Sequence, residues 1–329
     1  MLLSLCEITR TRFREEDNII IYRSGEEIVM KLNLKDRSEL VSTGKLYTFE
    51  ITMDPIPDRR TRTIRVWLPD SYDGVRRFPV LYMHDGQYTF PENDGSAEGM
   101  GSWGLDKTIA ELDPEIQCIV VGIDTSDDRG SELLPPYKRN PAHKIPKIPG
   151  RPDFVALGHY YADFVKDTLK PVIDENFMTL TDAAHTGIGG ASMGGLQSYY
   201  MTMRYPEVFG RSLDMSPGLD ILDEECLSMI DSYDPERLKD ARFYMYSGDQ
   251  GLDVTIMYSV LTVYRRMKDK LHLTSTQLAA VIDSRESHWG SSWNKYMPDG
   301  LRFLFSEDNS VESPPDFTQN LSRDAEHAC

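Results

Sequence analysis

Residues 186–196 read Thr186-Gly187-Ile188-Gly189-Gly190-Ala191-Ser192-Met193-Gly194-Gly195-Leu196, and they decide the fold class that we predict for this chain. The stretch contains Gly190-x-Ser192-x-Gly194, the pattern of an abrupt turn between a strand and a helix that lifts a serine hydroxyl clear of the backbone. The serine in such a turn is strained, and the strain is tolerated where the residues two before and two after it carry no side chain. Gly190 and Gly194 meet this requirement.

The flanks of this turn favour the same interpretation. Residues 184–189 predict a short strand, and Leu196 begins a helix that we expect to end at Arg204, before Pro206. The pattern alone is weak, because a chain of this length contains one by chance roughly one time in ten. A nucleophilic Ser192 therefore also needs a histidine, a carboxylate and two backbone donors from elsewhere in the chain.

The bulk composition excludes several classes of protein. The chain has 329 residues, enough for one large domain or two smaller ones with a sizeable core. No apolar run reaches the roughly 18 residues of a membrane span, and residues 1–7 are too short and lack the positive charge of a signal peptide. We therefore expect a soluble, cytoplasmic protein that does not act at a membrane.

Charge and cysteine content exclude further partners and ligands. The formal net charge is −17, from 36 basic and 53 acidic side chains. A field of that sign repels phosphate backbones, so we expect no nucleic-acid partner. Four widely separated cysteines predict free thiols rather than a disulfide framework or a zinc site: Cys6, Cys118, Cys226 and Cys329.

Hydrophobic patterning divides the chain into three parts. Residues 1–44 are charged and contain two strand-like segments, 18–22 and 27–32, which predict a hairpin in a small β extension packed on the main domain or on a second subunit of a homo-oligomer. Residues 45–306 carry the regular pattern of the main domain. Residues 307–329 are polar, acidic and Pro-containing, which is typical of a disordered tail.

The main domain predicts alternating strands and helices. Segments 45–51 and 61–69 alternate polar and apolar residues and are expected to pair antiparallel at a sheet edge. Further strands are predicted at 78–83, 117–123, 184–189, 211–215, 241–246 and 277–282. Helices are predicted at 105–112, 159–177, 196–204, 220–232 and 254–270, and after residue 288. This order is typical of an α/β fold with a mostly parallel sheet and helices on both faces.

The loops after parallel strands gather at one edge of such a sheet. Residues 124–152 form the longest of them, and a loop of that length is usually a lid, a binding loop or disordered. Ser192 and His288 also fall on this edge. In hydrolases with this turn the chain order is serine, acid, histidine. Only His272, His288 and His327 follow Ser192, and we select His288 because the other two lie at a helix end and in the tail.

Two carboxylates compete for the role of the acid. Asp249 and Asp253 both follow the strand at 241–246. Asp249 could instead stabilise a turn, and Asp253 could cap the helix that follows it. We favour Asp253 because it lies farther along the loop, at the reach that an acid behind His288 requires.

The oxyanion formed in acyl transfer needs two backbone N–H donors. We assign one to Met193, the residue after the serine, and the other to Gln87, in the loop after the strand at 78–83. His84 and Asp85 are expected to brace that loop rather than to act as a catalytic pair. Arg129 and Glu132 open the long loop, and we expect an internal salt bridge that anchors it. Three aromatic residues could line an acyl or aryl pocket or could merely pack: Tyr88, Trp103 and Tyr137.

Several ordered motifs between about residues 45 and 306 carry a resemblance to the putative-esterase family of α/β-hydrolases. The family includes enterochelin-esterase-like proteins, feruloyl and acetyl-xylan esterases, S-formylglutathione hydrolase and mycolyltransferases. The motifs are Pro79-Val80-Leu81-Tyr82-Met83-His84-Asp85-Gly86-Gln87, Val121-Gly122-Ile123-Asp124 with Arg129 and Glu132, Gly189-Gly190-Ala191-Ser192-Met193-Gly194-Gly195, Tyr205-Pro206-Glu207-Val208-Phe209-Gly210, and His288 with Trp293 and Leu301-Arg302-Phe303-Leu304-Phe305.

The resemblance implies the α/β-hydrolase fold and a Ser-His-Asp/Glu site in which Ser192 and His288 carry over directly. The chain departs from the family at the acid, which relatives often place where Gly251 stands here. Asp253, Asp249 and a Ser-His dyad therefore all remain open. No phosphate loop, zinc spacing or dinucleotide fingerprint is present, so we expect no cofactor and no metal.

Taken together, the residues and the resemblance predict a serine carboxylic-ester hydrolase. Its expected substrate is a small-molecule or carbohydrate ester with an acyl, aryl or sugar group. Two alternatives remain: an acyltransferase that uses the same acyl-enzyme, and a non-catalytic binding module that keeps the hydrolase fold.

Overall fold

The computed structural model describes residues 18–23, 26–54, 56, 60–90, 101–141, 144 and 155–307. The strands are β1 Asn18–Arg23, β2 Glu26–Lys31, β3 Lys35–Asp36, β4 Lys45–Thr52, β5 Thr61–Leu68, β6 Val80–His84, β7 Ile119–Ile123, β8 Thr186–Ala191, β9 Arg211–Met215, β10 Arg242–Gln250 and β11 Leu278–Ser287. The helices are α1 Leu105–Ala110, α2 Arg129–Glu132, α3 Gly158–Phe164, α4 Lys170–Asn176, α5 Met193–Arg204, α6 Asp223–Asp231, α7 Asp253–Leu271 and α8 Gly290–Phe305.

Nine of the described strands form one sheet in the order β11-β10-β9-β8-β6-β7-β5-β4-β3. The six strands from β11 to β7 in this order are parallel to one another, whereas β5, β4 and β3 are joined to them by antiparallel pairing. β6, β7, β8 and β9 are buried along their whole length, as strands covered on both faces must be.

Helices cover both faces of this sheet. On one face, α5 and α7 bury Leu196, Tyr199 and Val260 in the larger hydrophobic core. On the other face, α1 and α8 bury Leu105 and Trp293 in the second core. The predicted α/β class, with a mostly parallel sheet between two helical layers, is confirmed.

The N-terminal strands partly match the sequence prediction. β1 and β2 pair antiparallel with Asn18 opposite Lys31, which confirms the hairpin. β4 and β5 pair antiparallel near the sheet edge, as expected. β3, which lies before residue 45, pairs with β4 and belongs to the main sheet. The boundary between the N-terminal extension and the main domain at residue 44 stays a prediction. The tail predicted at residues 307–329 lies outside the described residues, apart from residue 307 itself.

The structure corrects the ends of two strands next to the site. β10 continues to Gln250 and β11 to Ser287, where the sequence predicted loops. The two strands keep pairing across a register shift, with Gly248 opposite Asp283 and Gln250 opposite Ser287. Polar residues are tolerated there because β11 is the last strand of the sheet and one side faces solvent. His288 therefore follows a strand directly.

The helix predicted over residues 159–177 is interrupted. A π-helical turn at Val165–Leu169 separates α3 from α4, which begins at Lys170. Pro171 has no N–H to bond the carbonyl one turn earlier, and a wider turn there is a usual adjustment. The long loop was predicted to lack regular structure, but it contains α2, and most of its remainder after residue 141 lies outside the described residues.

A buried ion-pair cluster anchors α2 to the sheet. The carboxylate of Glu132 is fully buried and accepts from Arg60 at 2.7 Å, from Arg62 and from the Ser126 hydroxyl at 2.8 Å. Glu132 thus forms a salt bridge, but with residues of β5 and the segment before it rather than within the loop.

Replacing Glu132 with Gln is expected to lower the free energy of unfolding by about 3–5 kcal/mol, because Arg62 would lose its buried counter-charge and Arg60 would keep only Asp128 of these two carboxylates. Urea denaturation followed by circular dichroism measures the change. Glu224→Gln is the matched control: Glu224 pairs with Arg139 at 2.9 Å, but the two side chains are 64% and 80% exposed. An exposed pair contributes at most about 1 kcal/mol. Equal losses in the two variants would contradict the buried-cluster interpretation.

Candidate active site

Ser192 stands at the turn between β8 and α5 in a conformation that is uncommon for a residue with a side chain. Its φ is 59° and its ψ is −122°. The backbone is held on both sides, because Ser192 N donates to the Met215 carbonyl at 3.0 Å and Gly218 N donates to the Ser192 carbonyl at 2.9 Å. Such strain persists where the surroundings over-determine it, and it concentrates at functional sites.

The glycines around Ser192 are required by close backbone approach. A Cβ on Gly190 would lie 3.0 Å from the Gly194 carbonyl carbon and 3.0 Å from His84 Cδ2. A Cβ on Gly195 would lie 2.9 Å from Pro217 Cα. These contacts let α5 begin directly against the ends of β6 and β9, so that the serine side chain is presented at the sheet edge.

His288 and Asp253 form a direct pair at the same edge. His288 Nδ1 lies 2.6 Å from Asp253 Oδ1, and Asp253 is fully buried. The imidazole is 13% exposed and meets the Trp293 ring edge-on, with ring centroids 5.0 Å apart. Asp249 instead lies on β10, where it accepts from the Gln250 side chain at 2.6 Å. The histidine is therefore bonded to Asp253, one of the two carboxylates that the sequence left open.

Ser216 connects this pair to the backbone around Ser192. It follows β9 directly, and its hydroxyl donates to Asp253 Oδ2 at 2.8 Å. The preceding residue, Met215, accepts the hydrogen bond from Ser192 N. Among the residues that the structure describes, no hydrogen bond joins the Ser192 hydroxyl to the His288 imidazole. In this class of site that bond often tightens only when substrate binds.

The two assigned oxyanion donors follow the neighbouring strands β8 and β6. Met193 is the first residue of α5, so its N–H has no acceptor one turn earlier in the helix. Gln87 lies in a single 3-10 turn, Gly86–Tyr88, directly after β6. Its side chain is engaged elsewhere: Gln87 Nε2 donates to Thr125 Oγ1 at 2.7 Å, and Thr125 N donates to Gln87 Oε1 at 3.1 Å. This exchange fixes the turn against the loop after β7.

An ion pair between Asp85 and Arg129 stabilises the segment that leads into the Gly86–Tyr88 turn. Asp85 has a left-handed backbone, with φ 58°, and both of its carboxylate oxygens accept from Arg129, at 2.5 and 2.7 Å. Arg129 also reaches the carbonyl of Ala191 at 3.4 Å. Nearby anionic Asp85 raises the pKa of Arg129 against the opposing effect of burial. The predicted partner of Arg129 was Glu132, but the structure gives it Asp85.

His84 is buried beneath the turn and is not bonded to a carboxylate. Its Nδ1 lies 2.8 Å from the Tyr161 hydroxyl, and its Nε2 has no hydrogen-bond partner among the described residues. Burial lowers the pKa of His84 to about 3. The side chain is therefore neutral near pH 7, in keeping with the structural role predicted for it.

The depressed pKa of His84 predicts a pH-dependent stability. The unfolded histidine takes up a proton below a pH of about 6.5, whereas the folded one stays neutral down to a pKa of about 3. Stability is therefore lost as pH falls through this window, by up to about 1.4 kcal/mol for each pH unit. In urea titrations, His84→Asn should make the free energy of unfolding depend less steeply on pH between pH 4 and 6.5. Identical slopes in the wild type and in His84→Asn would refute this assignment.

Three groups that contact Asp253 or Ser216 were given no role in the site by the sequence analysis: the Ser216 hydroxyl, the Gly248 N–H and the Trp293 indole. Ser216 and the Gly248 N–H both bond Asp253 Oδ2, at 2.8 and 2.9 Å. Ser216 could have been noticed, because a polar residue directly after a buried parallel strand points to the functional edge. Trp293 is buried and donates to the Ser216 hydroxyl at 2.9 Å. Trp103 is also buried, 5.1 Å from the Trp293 ring, so it packs in the core rather than lining a pocket.

The described residues contain no group of three or more His, Cys, Asp or Glu side chains arranged to hold a metal ion. No described helix has both the length and the apolar character needed to cross a membrane. Cys118 and Cys226 are buried free thiols, as predicted, and burial raises the pKa of Cys118 to about 12. Cys6 and Cys329 lie outside the described residues.

Comparison with known families identifies one match that covers most of the chain. The model of the family described as "Putative esterase" matches residues 58–298. The match includes Ser192, Asp253 and His288. It also spans both segments assigned to the oxyanion donors.

One curated relative carries two activities in its name. The chain is 30% identical over 200 residues to an endo-1,4-beta-xylanase/feruloyl esterase of Xylanibacter ruminicola. The aligned stretch covers 57% of this chain and 22% of that protein. The chain therefore corresponds to less than a quarter of the length of this relative.

Two solved structures share the fold at low sequence identity. A ferulic acid esterase superimposes with a TM-score of 0.56 at 17% identity, covering 79% of this chain and 98% of that one. The enterobactin esterase of Shigella flexneri superimposes with a TM-score of 0.57 at 17% identity, covering 78% of this chain and 58% of that one. Together with the strand order and the helices on both faces, these likenesses identify the α/β-hydrolase fold.

Proposed function

This chain belongs to the putative esterase family, and we propose that it is a serine carboxylic-ester hydrolase that acts through Ser192, His288 and Asp253. Its membership puts it in the class of carboxylic-ester hydrolases. The observation that carries the proposed site is the 2.6 Å contact between His288 and buried Asp253, on the sheet edge where Ser192 has its strained turn.

The proposed acylation step begins at Ser192. Its hydroxyl attacks the ester carbonyl carbon while His288 Nε2 takes the hydroxyl proton. Asp253 accepts from His288 Nδ1–H and stabilises the imidazolium that forms. The imidazolium then returns the proton to the leaving alcohol, which departs as the carbonyl is restored, and the acyl group stays on Ser192.

The proposed oxyanion site consists of the Met193 and Gln87 N–H groups. In this proposal, both donate to the negative charge that develops on the carbonyl oxygen during attack at Ser192. Support for Gln87 comes from its side chain, which is bonded at both ends to Thr125 and so fixes the orientation of its backbone. Support for Met193 comes from its place as the first residue of α5, where the helix dipole favours negative charge.

The proposed second step releases the acyl group. A water molecule gives a proton to His288 Nε2 and attacks the acyl carbon, and Ser192 leaves with the proton that the imidazolium returns. An alcohol acceptor can take the place of water in the same step, which would make the protein an acyltransferase. The choice between these outcomes depends on which acceptor reaches the acyl-enzyme.

The proposed substrate is an ester with an acyl, aryl or sugar group. Similar proteins carry names that refer to feruloyl and enterobactin esters. An aryl acid esterified to a sugar or to a siderophore-like backbone is therefore the first class to examine. The chain matches only part of these relatives, so its own substrate is a proposal.

A substrate screen tests the proposed function. Hydrolysis of p-nitrophenyl acetate and butyrate is measured first, followed by acetylated and feruloylated sugars, siderophore esters and thioesters. We expect turnover of the p-nitrophenyl esters and selective turnover of one natural class. Adding glycerol or free sugar reveals transfer products if the protein is a transferase. No turnover of any ester, with or without an acceptor, would contradict the proposal.

A further inference from the structure

Ser216 has an unusual backbone for a buried residue with a side chain. Its φ is 38°, a left-handed value, and it is fully buried. Glycine adopts such a conformation readily, whereas serine does so only under constraint. The Ser216 N–H donates to the Tyr246 carbonyl at 2.6 Å, which fixes this segment against β10. The chain therefore keeps a hydroxyl at a position where the backbone alone favours glycine.

The Ser216 hydroxyl lies between two partners of the site. It donates to Asp253 Oδ2 at 2.8 Å and accepts from Trp293 Nε1 at 2.9 Å. The Gly248 N–H donates to the same carboxylate oxygen at 2.9 Å. Asp253 Oδ2 is thus held by two donors, which leaves Oδ1 directed at His288. Because Trp293 donates to the hydroxyl, the Ser216 proton is directed toward the carboxylate.

Trp293 contacts both Ser216 and His288. Its indole N–H fixes Ser216, and its ring meets the His288 imidazole edge-on at 5.0 Å between centroids. Trp293 is itself buried and packs against Trp103, with centroids 5.1 Å apart. Ser216 and Trp293 therefore restrict the carboxylate and the imidazole together, through contacts with both.

We infer that Ser216 is a positioning residue that holds Asp253 in the orientation required to align His288. This inference rests on the proposed function of Ser192, His288 and Asp253. Loss of the hydroxyl frees the carboxylate to rotate about its hydrogen bond to Gly248, and it leaves Trp293 Nε1 without its acceptor. Proton transfer at His288 then slows, while the surface that binds substrate is unchanged.

Two variants test the role of the hydroxyl. Ser216→Ala removes it and keeps the backbone strain, whereas Ser216→Gly removes it and relieves the strain. In both we expect kcat for p-nitrophenyl butyrate to fall about 10- to 100-fold, the range that corresponds to one hydrogen bond to a charged group, with KM little changed. The far-downfield proton resonance of an imidazole N–H bonded to a carboxylate should shift or broaden in both variants.

Ser212→Ala is the matched control for a buried serine on the same strand. Ser212 is fully buried in β9 and donates to the buried carboxyl of Asp214 at 2.7 Å, a contact that involves neither Asp253 nor His288. We expect this variant to keep the wild-type kcat and the downfield resonance. An equal fall of kcat in the Ser212 and Ser216 variants would indicate general damage to the core and would overturn the inference.

The outcomes separate this inference from the proposed function. If both Ser216 variants keep the wild-type kcat and resonance while Ser192→Ala is inactive, the positioning role is wrong and the proposed function stands. If Ser192→Ala keeps full activity, the proposed function itself fails. Ser216→Gly keeps the test decisive if the alanine variant does not fold, because glycine accepts the positive φ without strain.

Discussion

Replacing Ser192 with alanine is expected to lower kcat for p-nitrophenyl butyrate by about four to six orders of magnitude. The alanine variant has no hydroxyl to form the acyl-enzyme, and water would have to attack the ester directly. Residual rate would come from the Met193 and Gln87 donors and from binding alone. Steady-state kinetics with highly purified protein measure the change, because traces of a contaminating esterase would hide it.

Ser198→Ala is a matched control for this variant. Ser198 lies on α5, is fully buried, and donates its hydroxyl to the Gly194 carbonyl at 2.9 Å rather than to the site. We expect it to keep its activity, since alanine is a good helix former and no catalytic group is removed. Undiminished turnover by Ser192→Ala would refute the nucleophile, and equal losses in the two variants would point to damage of α5.

Replacing Asp253 with asparagine is expected to lower kcat by about three to four orders of magnitude. The asparagine amide cannot stabilise an imidazolium, and its NH₂ group favours the wrong tautomer of His288. KM should change little, because Asp253 is buried behind the histidine and does not face substrate. Kinetics over a range of pH, on the same p-nitrophenyl ester, measure the effect.

Asp249→Asn is the control that separates the two carboxylates. Asp249 lies on β10 and bonds the Gln250 side chain, so its loss should leave kcat within a few fold of wild type. A large loss in Asp249→Asn with none in Asp253→Asn would reverse the assignment of the acid. Full activity in both variants would favour the Ser-His dyad that the sequence left open.

Local sequence patterns predicted the parts of this fold that depend on neighbouring residues. The glycines around Ser192 predicted a tight turn because each has to avoid an atom only a few residues or one strand away. The apolar segments predicted the parallel strands because burial on both faces leaves no room for polar alternation. His288 was selected because it follows the last predicted strand. The carboxyl ends of parallel strands meet at one edge of the sheet, so this position places His288 at that edge.

The sequence favoured Asp253 as the acid but could not exclude Asp249. That choice depends on how far β10 continues: pairing with β11 through Gln250 keeps Asp249 on the strand and leaves Asp253 to begin α7. Polar residues at the end of β11 look like a loop in the sequence, yet they continue an edge strand. Strand ends at an edge are determined by pairing with a distant segment, and composition carries little information about it.

The partners of the buried charges were also beyond the sequence. Arg129 and Glu132 lie three residues apart, and a local salt bridge was the natural expectation. Each instead pairs with a residue more than 40 positions away, Asp85 for Arg129 and Arg62 for Glu132. Ser216 likewise reaches Asp253 across 37 positions. Such contacts follow from strand order, which brings β6, β5 and β9 beside the loops that carry these residues.

Covalent labelling with a fluorophosphonate ester, followed by peptide mass spectrometry, tests the central proposal most directly. We expect one adduct, on the peptide that contains Ser192, formed quickly by the wild type, slowly by Asp253→Asn and not at all by Ser192→Ala. An unlabelled wild-type protein, or an adduct on a different residue, would contradict the proposal that Ser192 is an activated nucleophile.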